Sequence, residues 1–506
     1  MQLIARPALL VLIGLSACEL YDPIGRPPTD GFFSSDAGPL HTQSVNISIN
    51  GQSKIDVLFM IDNSHSMAEK QAQLQANFPK LKEKLDSLAA ANHPAWYHIG
   101  VVTSDLGAGP TSLGNGSCTP GGDGGKLQMI PKVPPAGLNC VATGSDTVTK
   151  MSANYIDLNQ LPSGGDNLPA GMTLDEMLSC MTSVGDTGCG YEHQLESVYR
   201  ALHDLPAENQ GFLRTDAALA VILLTDEDDC SAPPNTDLFD PAQLKYGVAN
   251  SSFRCTQFGI QYGKNPPVFP LPSAGGVFSD VAPADAAVTK LWATGRYIDF
   301  FTKPKSSGGL KDDPSIVFLA GIAGPVINNV MEVDVSSPCV DNMAIASCPF
   351  VVPSCNSAID PRNESGTPAV RISAVVNSAI NHASESICDT DYSPSVDSLF
   401  EQINASLNAG CLSSPIDYVN GFALCSVIDM SDTDSLLPAC NGANPDSLPC
   451  WEIVSDSNCP AVFNPIFDRT ERLALRVCRD GSCTQPSPPP TGVYTVASCE
   501  LLLPSL

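Results

Sequence analysis

The chain has 506 residues, of which 54 are acidic and 26 are basic, so its formal net charge is −28. A protein that binds nucleic acid normally carries a basic surface that displaces counterions from phosphate, so this balance argues against a nucleic-acid partner. An acidic chain attracts cations and remains soluble, but its acidity alone does not indicate a fold.

The first 17 residues have the pattern of an export signal. Arg6 precedes an apolar core at residues 8–15, which is too short to cross a bilayer comfortably. The segment Leu15-Ser16-Ala17-Cys18 resembles a bacterial lipobox, which implies a lipid on Cys18. Glu19 stands where many lipoproteins retained in the inner membrane have Asp. We therefore expect an outer-membrane lipoprotein of the bacterial envelope, facing the periplasm or the cell surface. An ordinary cleaved signal is the alternative.

The cysteine content agrees with export. Setting Cys18 aside from the 19 Cys leaves an even number, which predicts a disulfide framework in an oxidising compartment. No Cys-x-x-Cys pair occurs in the sequence, which argues against a zinc ribbon or a thioredoxin-like site. Neighbouring cysteines suggest the local pairs Cys118–Cys140, Cys180–Cys189 and Cys230–Cys255, although sequence alone leaves the connectivity open.

Residues 18–52 are rich in Pro, Gly and Ser, and predict a flexible linker between lipid and domain. Beyond them, four apolar runs predict strands buried on both faces of a sheet, at 57–61, 97–103, 219–224 and 316–320. Helical spacing of apolar residues predicts three helices, which carry Leu74, Phe78, Leu81, Leu85 and Leu88; Leu195, Val198, Tyr199 and Leu202; and Val396, Leu399, Phe400, Ile403 and Leu407. This alternation predicts a doubly wound, mainly parallel α/β sheet over residues 53–408.

Three long intervals separate these elements, at 106–170, 231–312 and 333–368. Compact domains rarely hold such loops unless the loops are functional or stapled, and each interval contains Cys. We interpret them as disulfide-stapled insertions around a binding face; insertions without any partner are the alternative. Residues 409–506 are rich in Cys and in short apolar segments, and predict a small β-type module held by disulfides.

The most informative motif is Asp62-Asn63-Ser64-His65-Ser66, directly after the first apolar run. It places one carboxylate and two hydroxyls at alternate positions beyond the carboxyl end of a buried strand, the edge at which open α/β sheets bind ligands. Ligand sets made only of oxygen suit hard divalent cations. The motif therefore predicts a cation site, and an ordinary turn that caps the following helix is the alternative.

Asp-x-Ser-x-Ser after a buried strand resembles the metal-ion-dependent adhesion site of von Willebrand factor type A (VWA) domains. The resemblance implies that Ser64 and Ser66 ligate the metal and that Asp62 lies close by or acts through water. Leu223-Leu224-Thr225-Asp226 resembles the family's third site segment, which gives Asp226 the role of its Asp. Glu227 replaces the usual Gly, and Asp228 and Asp229 follow it; these acids would add charge to the site or form a solvated turn.

The family's Thr is the least clear of the site residues. Thr187 lies before the helix that carries Leu195, as the family's Thr does, and Thr103 is a remote alternative. The layout, with Gly188-Cys189-Gly190 before a helix and a Cys-rich tail, also resembles VWA lipoproteins of predatory and soil bacteria.

The resemblance implies a function in binding. A site of this type holds Mg²⁺, or alternatively Mn²⁺ or Ca²⁺, and leaves one coordination position for a carboxylate of a protein or envelope ligand. We therefore expect a lipid-anchored surface protein that binds or adheres through a divalent cation.

Two other classes of function remain open. A metal-free structural envelope lipoprotein would use the same fold, with Asp62 and the serines capping the helix. A secreted hydrolase is less favoured, because Glu192-His193 lacks the second His of a zinc protease and 121–126 fails the phosphate-loop pattern. We expect no enzyme and no catalytic residues.

Overall fold

A computed structural model describes residues 41–48, most of 54–398 and most of 410–503. The longest gaps within these ranges are 111–116, 141–150, 244–251, 337–346, 357–364, 441–447 and 480–493. The predicted signal, Cys18, most of the predicted linker and, apart from Ser398, the predicted helix from Val396 to Leu407 lie outside the described residues. No helix in the described part of the chain is both long and apolar enough to span a membrane.

The centre of the molecule is a six-stranded sheet. Its strands are β1 (Lys54–Ile61), β2 (Trp96–Thr103), β3 (Ile156–Asn159), β4 (Ala218–Leu224), β5 (Val317–Ala323) and β6 (Asn381–Ser386). Their order is β6-β5-β4-β1-β2-β3, and every neighbouring pair is parallel except β2 with the edge strand β3. The order reverses at β1, so the carboxyl ends of β1 and β4 form a switch point, where such sheets bind ligands.

Helices cover both faces of this sheet. In chain order the α-helices of the described residues are α1 (Ala68–Ala90), α2 (Leu174–Thr182), α3 (Gln194–Tyr199), α4 (Phe253–Gly259), α5 (Gly295–Thr302) and α6 (Val370–Val376). All except α4 contribute to the two cores against the sheet. Alternate residues of β1 and β4 enter two separate cores, one shared with α1 and α2 and the other with α3, α5 and α6. Strands buried on both faces need apolar residues at every position, which explains their uninterrupted apolar sequence.

The four apolar runs form β1, β2, β4 and β5, so the predicted mainly parallel sheet is confirmed. The two edge strands, β3 and β6, were missed. An edge strand is partly exposed and shows a weaker apolar pattern; β6 has the sequence Asn-His-Ala-Ser-Glu-Ser.

The insertions contain structure of their own. Helices α4 and α5 lie in 231–312, together with the strand pair Ile260–Gln261 and Ala282–Pro283. A three-stranded antiparallel sheet joins Gly276–Ser279, Val330–Ser336 and Cys348–Val351. A further pair joins Cys355–Asn356 to Ser365–Gly366.

Disulfides staple these insertions, but two of the suggested local pairs are wrong. Cys118 is bonded to Cys189 and Cys140 to Cys180, across sequence separations of 71 and 40 residues. The first insertion folds back over the segment around α2, and proximity in space, not in sequence, selects the partners. Cys230–Cys255 is confirmed, and Cys355–Cys388 ties the last insertion to the segment after β6.

The Cys-rich C-terminal region is built of β-strands. A four-stranded sheet has the order His41–Ser48, Tyr494–Leu503, Cys425–Met430 and Ser435–Leu437. Three antiparallel pairs accompany it: Tyr418–Val419 with Phe422–Ala423, Cys450–Ser455 with Leu473–Cys478, and Val462–Asn464 with Arg469–Glu471. Disulfides Cys425–Cys499 and Cys440–Cys450 cross-link it.

One strand of that sheet comes from the segment predicted as a linker. His41–Ser48 pairs in antiparallel register with the last strand, from His41 opposite Leu503 to Ser48 opposite Val496. The linker prediction for 18–52 therefore does not hold at 41–48. The sequence of this segment is largely polar and resembles a linker. It forms a β-strand because it pairs with a strand far along the chain.

Substitution of Phe59 provides a test of the core between β1 and α1. Its side chain is 1% exposed and packs edge to face on Phe78, with 6.0 Å between ring centroids. We expect Phe59→Ala to lower the free energy of unfolding by about 3–5 kcal/mol, because it leaves a cavity in a close-packed interior. Urea denaturation measures this. Val277→Ala is the control, since Val277 is 67% exposed; equal effects of the two changes would contradict the assignment of this core.

Candidate functional site

The two halves of the predicted site meet at the switch point between β1 and β4. The backbone N–H of Asp62 donates to the carbonyl of Leu224 at 2.9 Å, which continues the strand ladder by one residue. Thr225 and Asp226 follow immediately on β4. The parallel register therefore places the Asp62 loop beside Asp226, although 163 residues separate Asp62 from Thr225.

Asp62 is fully buried and organises the loop. Its Oδ1 accepts from the backbone N–H of Ser64 at 2.8 Å and from the hydroxyl of Ser104 at 3.3 Å. Its Oδ2 accepts from the Thr225 hydroxyl at 2.6 Å. Burial, followed by the nearby Asp226 carboxylate, raises the pKa of Asp62 to about 6. Asp62 thus faces inward, and it orients the loop instead of facing solvent.

The two serines of the motif lie together. The Oγ atoms of Ser64 and Ser66 are 3.5 Å apart. Two neighbouring ligands of one ion are roughly 2.8–3.0 Å apart for Mg²⁺ and roughly 3.3–3.7 Å apart for Ca²⁺, as follows from metal–oxygen distances of about 2.0–2.1 Å and about 2.3–2.6 Å. The hydroxyl pair therefore has a spacing that suits one divalent cation.

Asp226 is paired with a lysine that the motif analysis missed. Nζ of Lys70, on the first turn of α1, lies 2.8 Å from Oδ2 of Asp226 and donates to the backbone carbonyl of Ser66 at 3.1 Å. Both side chains are buried, with exposures of 4% and 2%. The lysine therefore compensates the charge of Asp226 from within the protein. Lys70 lies four residues after Ser66 on the helix, a spacing that places it beside the loop.

The oxygen atoms at this edge of the sheet match the needs of a divalent cation. Three oxygens at this edge are buried without a hydrogen-bond partner in the described residues: Asn63 Oδ1, Gln194 Oε1 and Asp226 Oδ1. Buried acceptors are normally satisfied, so such a group marks a position for a cation or ordered water. Together with the Ser64 and Ser66 hydroxyls, these atoms form a set of oxygen ligands that fits the expected ion. The Lys70 ammonium competes with that ion for the Asp226 carboxylate.

Thr187 lies in a turn that contacts the loop. The N–H of Gly188 donates to the carbonyl of Asn63 at 2.8 Å, and Nε2 of Gln71 donates to the carbonyl of Gly185 at 2.8 Å. The Thr187 side chain is exposed. The structure thus brings the turn to the site, and ligation by Thr187 stays a prediction. Thr103, the remote alternative, donates instead to Oδ2 of Asp123 at 2.7 Å.

The acids that follow Asp226 are engaged in holding α6. Asp228 accepts from the backbone N–H groups of Arg371 and Ile372, at the start of that helix. Asp229 accepts from Arg371 Nε at 3.2 Å and Nη2 at 3.0 Å, and the Arg371 side chain is 1% exposed. Burial raises the pKa of Asp228 to about 6. These carboxylates therefore form neither a solvated turn nor extra cation ligands; they anchor a helix.

Cysteines form one other cluster with metal-like spacing. Among the described His, Cys, Asp and Glu side chains, the ligand atoms of Cys440, Cys450 and Cys478 lie within 4.8 Å of one another. All three are disulfide-bonded, so their sulfurs are not thiolates. This cluster belongs to the framework of the C-terminal region.

The raised pKa of Asp62 predicts a pH dependence of stability in EDTA. Between about pH 4 and pH 6 the folded form retains a proton that the unfolded chain has already released, so stability falls as pH rises through this window. Asp62→Asn removes the titration. We therefore expect wild type to lose about 2–3 kcal/mol relative to Asp62→Asn between pH 4 and pH 7, measured by urea denaturation.

Asp391→Asn is the control for this measurement. Hydrogen bonds from Ser393 and Lys80 lower the pKa of the exposed Asp391 to about 2, so its titration lies below the window. A difference between wild type and Asp62→Asn that does not change with pH would contradict the raised pKa of the buried Asp62.

Comparisons with known proteins add little to this geometry. No family model and no curated protein matches the chain. Among solved structures, the chain is similar to the pilus adhesin RrgA from Streptococcus pneumoniae, at 12% identity and a TM-score of 0.28. The match covers 91% of this chain and 58% of that adhesin. A score this low does not show a shared fold.

Proposed function

We propose that the chain is a VWA-type binding protein of the bacterial envelope that recognises an acidic group through a divalent cation. The observation that carries this proposal is the convergence of Asp62, Ser64, Ser66 and Asp226 at one switch point. The reversal of strand order at β1 and the antiparallel edge strand β3 support it. The disulfides support an oxidising compartment, and the lipobox-like segment ending in Cys18 supports a lipid anchor.

In this proposal the hydroxyls of Ser64 and Ser66 hold the cation, which is Mg²⁺ or alternatively Mn²⁺ or Ca²⁺. Asp226 and Thr187 lie at its other sides, and Asp62 fixes the loop through the Ser64 N–H. A bound divalent cation supplies an electrophilic centre that a partner's carboxylate completes. Neutral hydroxyl ligands leave more of the ion's charge for that carboxylate. The partner is therefore a protein or envelope ligand that presents an acidic group.

Lys70 supports a second candidate, a metal-free structural envelope lipoprotein. Its ammonium already neutralises Asp226 at 2.8 Å, so the fold has an internal counterion. In this case the chain needs no divalent cation for stability, and the serines only begin α1. The two candidates differ in their response to cations, which the following experiments measure.

Replacing Lys70 should make the site depend on cations. Lys70→Met leaves the buried Asp226 carboxylate without its partner, which costs about 3–5 kcal/mol of stability in EDTA. We expect Mg²⁺ or Ca²⁺ to restore most of this loss and to bind at least tenfold more tightly than to wild type, in calorimetric titrations. The control is Lys80→Met, which removes the exposed pair with Asp391. Unchanged cation affinity in Lys70→Met would contradict competition at Asp226.

The proposed function is tested on the full mature chain. We expect Mg²⁺, Mn²⁺ or Ca²⁺ to raise the melting temperature of the wild type. In pull-downs from envelope extracts, we expect EDTA to release the partner that the wild type captures. Ser64→Ala with Ser66→Ala should abolish both effects, whereas Ser307→Ala, in an exposed turn, should not. Equal melting temperatures in EDTA and in excess cation, for wild type and for Asp62→Ala, would favour the metal-free structural protein.

A further inference from the structure

A cavity of about 340 Å³ lies beside the candidate cation site. It is lined by Glu192, Glu227, Phe253, Phe350 and Thr367 and by the disulfide Cys230–Cys255, and we call it the Glu192 cavity. Thr367 joins it to the site, because its backbone N–H donates to the carbonyl of Asp226 at 2.9 Å. Its volume lies at the lower end of the range for small-ligand pockets, roughly 300–1,000 Å³.

Glu192 is the unusual group in this wall. Glu192 is buried, with 2% of its surface exposed. Its backbone carbonyl accepts from the N–H of Cys230 at 2.8 Å. Within the described part of the chain, no other residue donates a hydrogen bond to its carboxyl group or forms an ion pair with it. Its own backbone N–H donates to the carboxyl group. A buried carboxyl with no other donor is costly, and in native proteins such a group often marks a functional role or a bound ion or water.

The nearby basic side chains are engaged elsewhere. Lys70 pairs with Asp226 and Arg371 with Asp229. Arg254, next to Phe253 on α4, donates to the carbonyl of Leu238 at 2.8 Å. None of these three cations therefore pairs with the Glu192 carboxyl group. Burial, and then the carboxylates of Glu227, Asp62 and Asp226, hold the pKa of Glu192 well above its ordinary value.

Aromatic side chains form part of the remaining wall, beside the hydroxyl groups of Ser252, Thr256, Ser336, Ser365 and Thr367. Phe253 is 5% exposed, and Phe350, on the strand Cys348–Val351, is 38% exposed. Aromatic faces attract cations and also pack against an aliphatic stem. A compact metal ion does not suit this wall: among the described acids, Glu192 and Glu227 do not belong to a group of three ligand atoms within 4.8 Å.

We infer that the Glu192 cavity takes an organic cation carried on an aliphatic stem. The two sources of this chemistry are a lysine or arginine side chain of a protein partner and a free alkyl diamine. The Glu192 carboxyl releases its proton to solvent when the cation enters. The cation pairs with the resulting carboxylate, and the stem lies against Phe253 and Phe350. This binding is separate from the proposed divalent-cation site, because it uses different side chains and persists in EDTA.

The test uses the full mature chain in EDTA at low salt, with ligand titrations followed by NMR. The probes are Nα-acetyl-lysine N-methylamide, its uncharged norleucine analogue, and cadaverine. We expect the lysine probe or cadaverine to bind and the norleucine probe to bind at least tenfold more weakly. Added salt should weaken the binding of the cationic probes, because it screens their attraction to the carboxylate. Tighter binding of the lysine probe than of cadaverine indicates a protein side chain, and the reverse indicates a free diamine.

Glu192→Gln should weaken cation binding at least tenfold and leave the melting temperature unchanged or higher, because it replaces an unpaired buried carboxyl by a neutral group of similar shape. Glu83→Gln, an equal change of charge at an exposed position of α1, is the matched control. Phe350→Ala should weaken binding severalfold and keeps the test valid if Glu192→Gln does not fold. Equal binding of the lysine and norleucine probes, or full binding by Glu192→Gln, would overturn the inference. Because EDTA is present, neither result depends on the divalent-cation site.

Discussion

Asp62 and Asp226 are two carboxylates buried side by side at the end of a parallel sheet, and the edge of the molecule is arranged around them. The ladder between β1 and β4 brings them together, since it runs one residue past the strands to the Asp62 N–H. Charges in such a place interact strongly, because little water screens them. Hydroxyls of Ser104 and Thr225 stabilise Asp62, and the Lys70 ammonium stabilises Asp226.

The other acids of this edge are compensated in different ways. Asp228 lies on the backbone N–H groups that begin α6, and Asp229 forms a forked pair with Arg371. These two serve the fold, because they tie α6 to the end of β4. Glu192 lacks such a partner and lines a cavity. Structural acids and candidate binding acids therefore differ in the groups that their carboxylates contact within the protein.

The insertions complete this binding edge. Cys118–Cys189 connects the first insertion to the turn that follows Thr187, and Cys230–Cys255 fixes the wall of the Glu192 cavity. Cross-links of this kind restrict the conformational freedom of a long loop. The strands His41–Ser48 and Tyr494–Leu503 are antiparallel neighbours in the sheet of the C-terminal region. An early segment of the chain and a late one therefore lie side by side there.

Local sequence patterns are sufficient to predict the mainly parallel sheet and both acidic ends of the candidate site. Uninterrupted apolar runs are required of strands covered on both faces, and Asp62 and Asp226 each follow such a run directly. Tertiary structure alone decided the rest. The polar edge strand β6, the strand from His41 and the crossed disulfides depend on partners distant in the chain, which local patterns do not record. The pairing of Lys70 with Asp226 also became visible only in three dimensions, because a buried lysine and an exposed one have the same letter in the sequence.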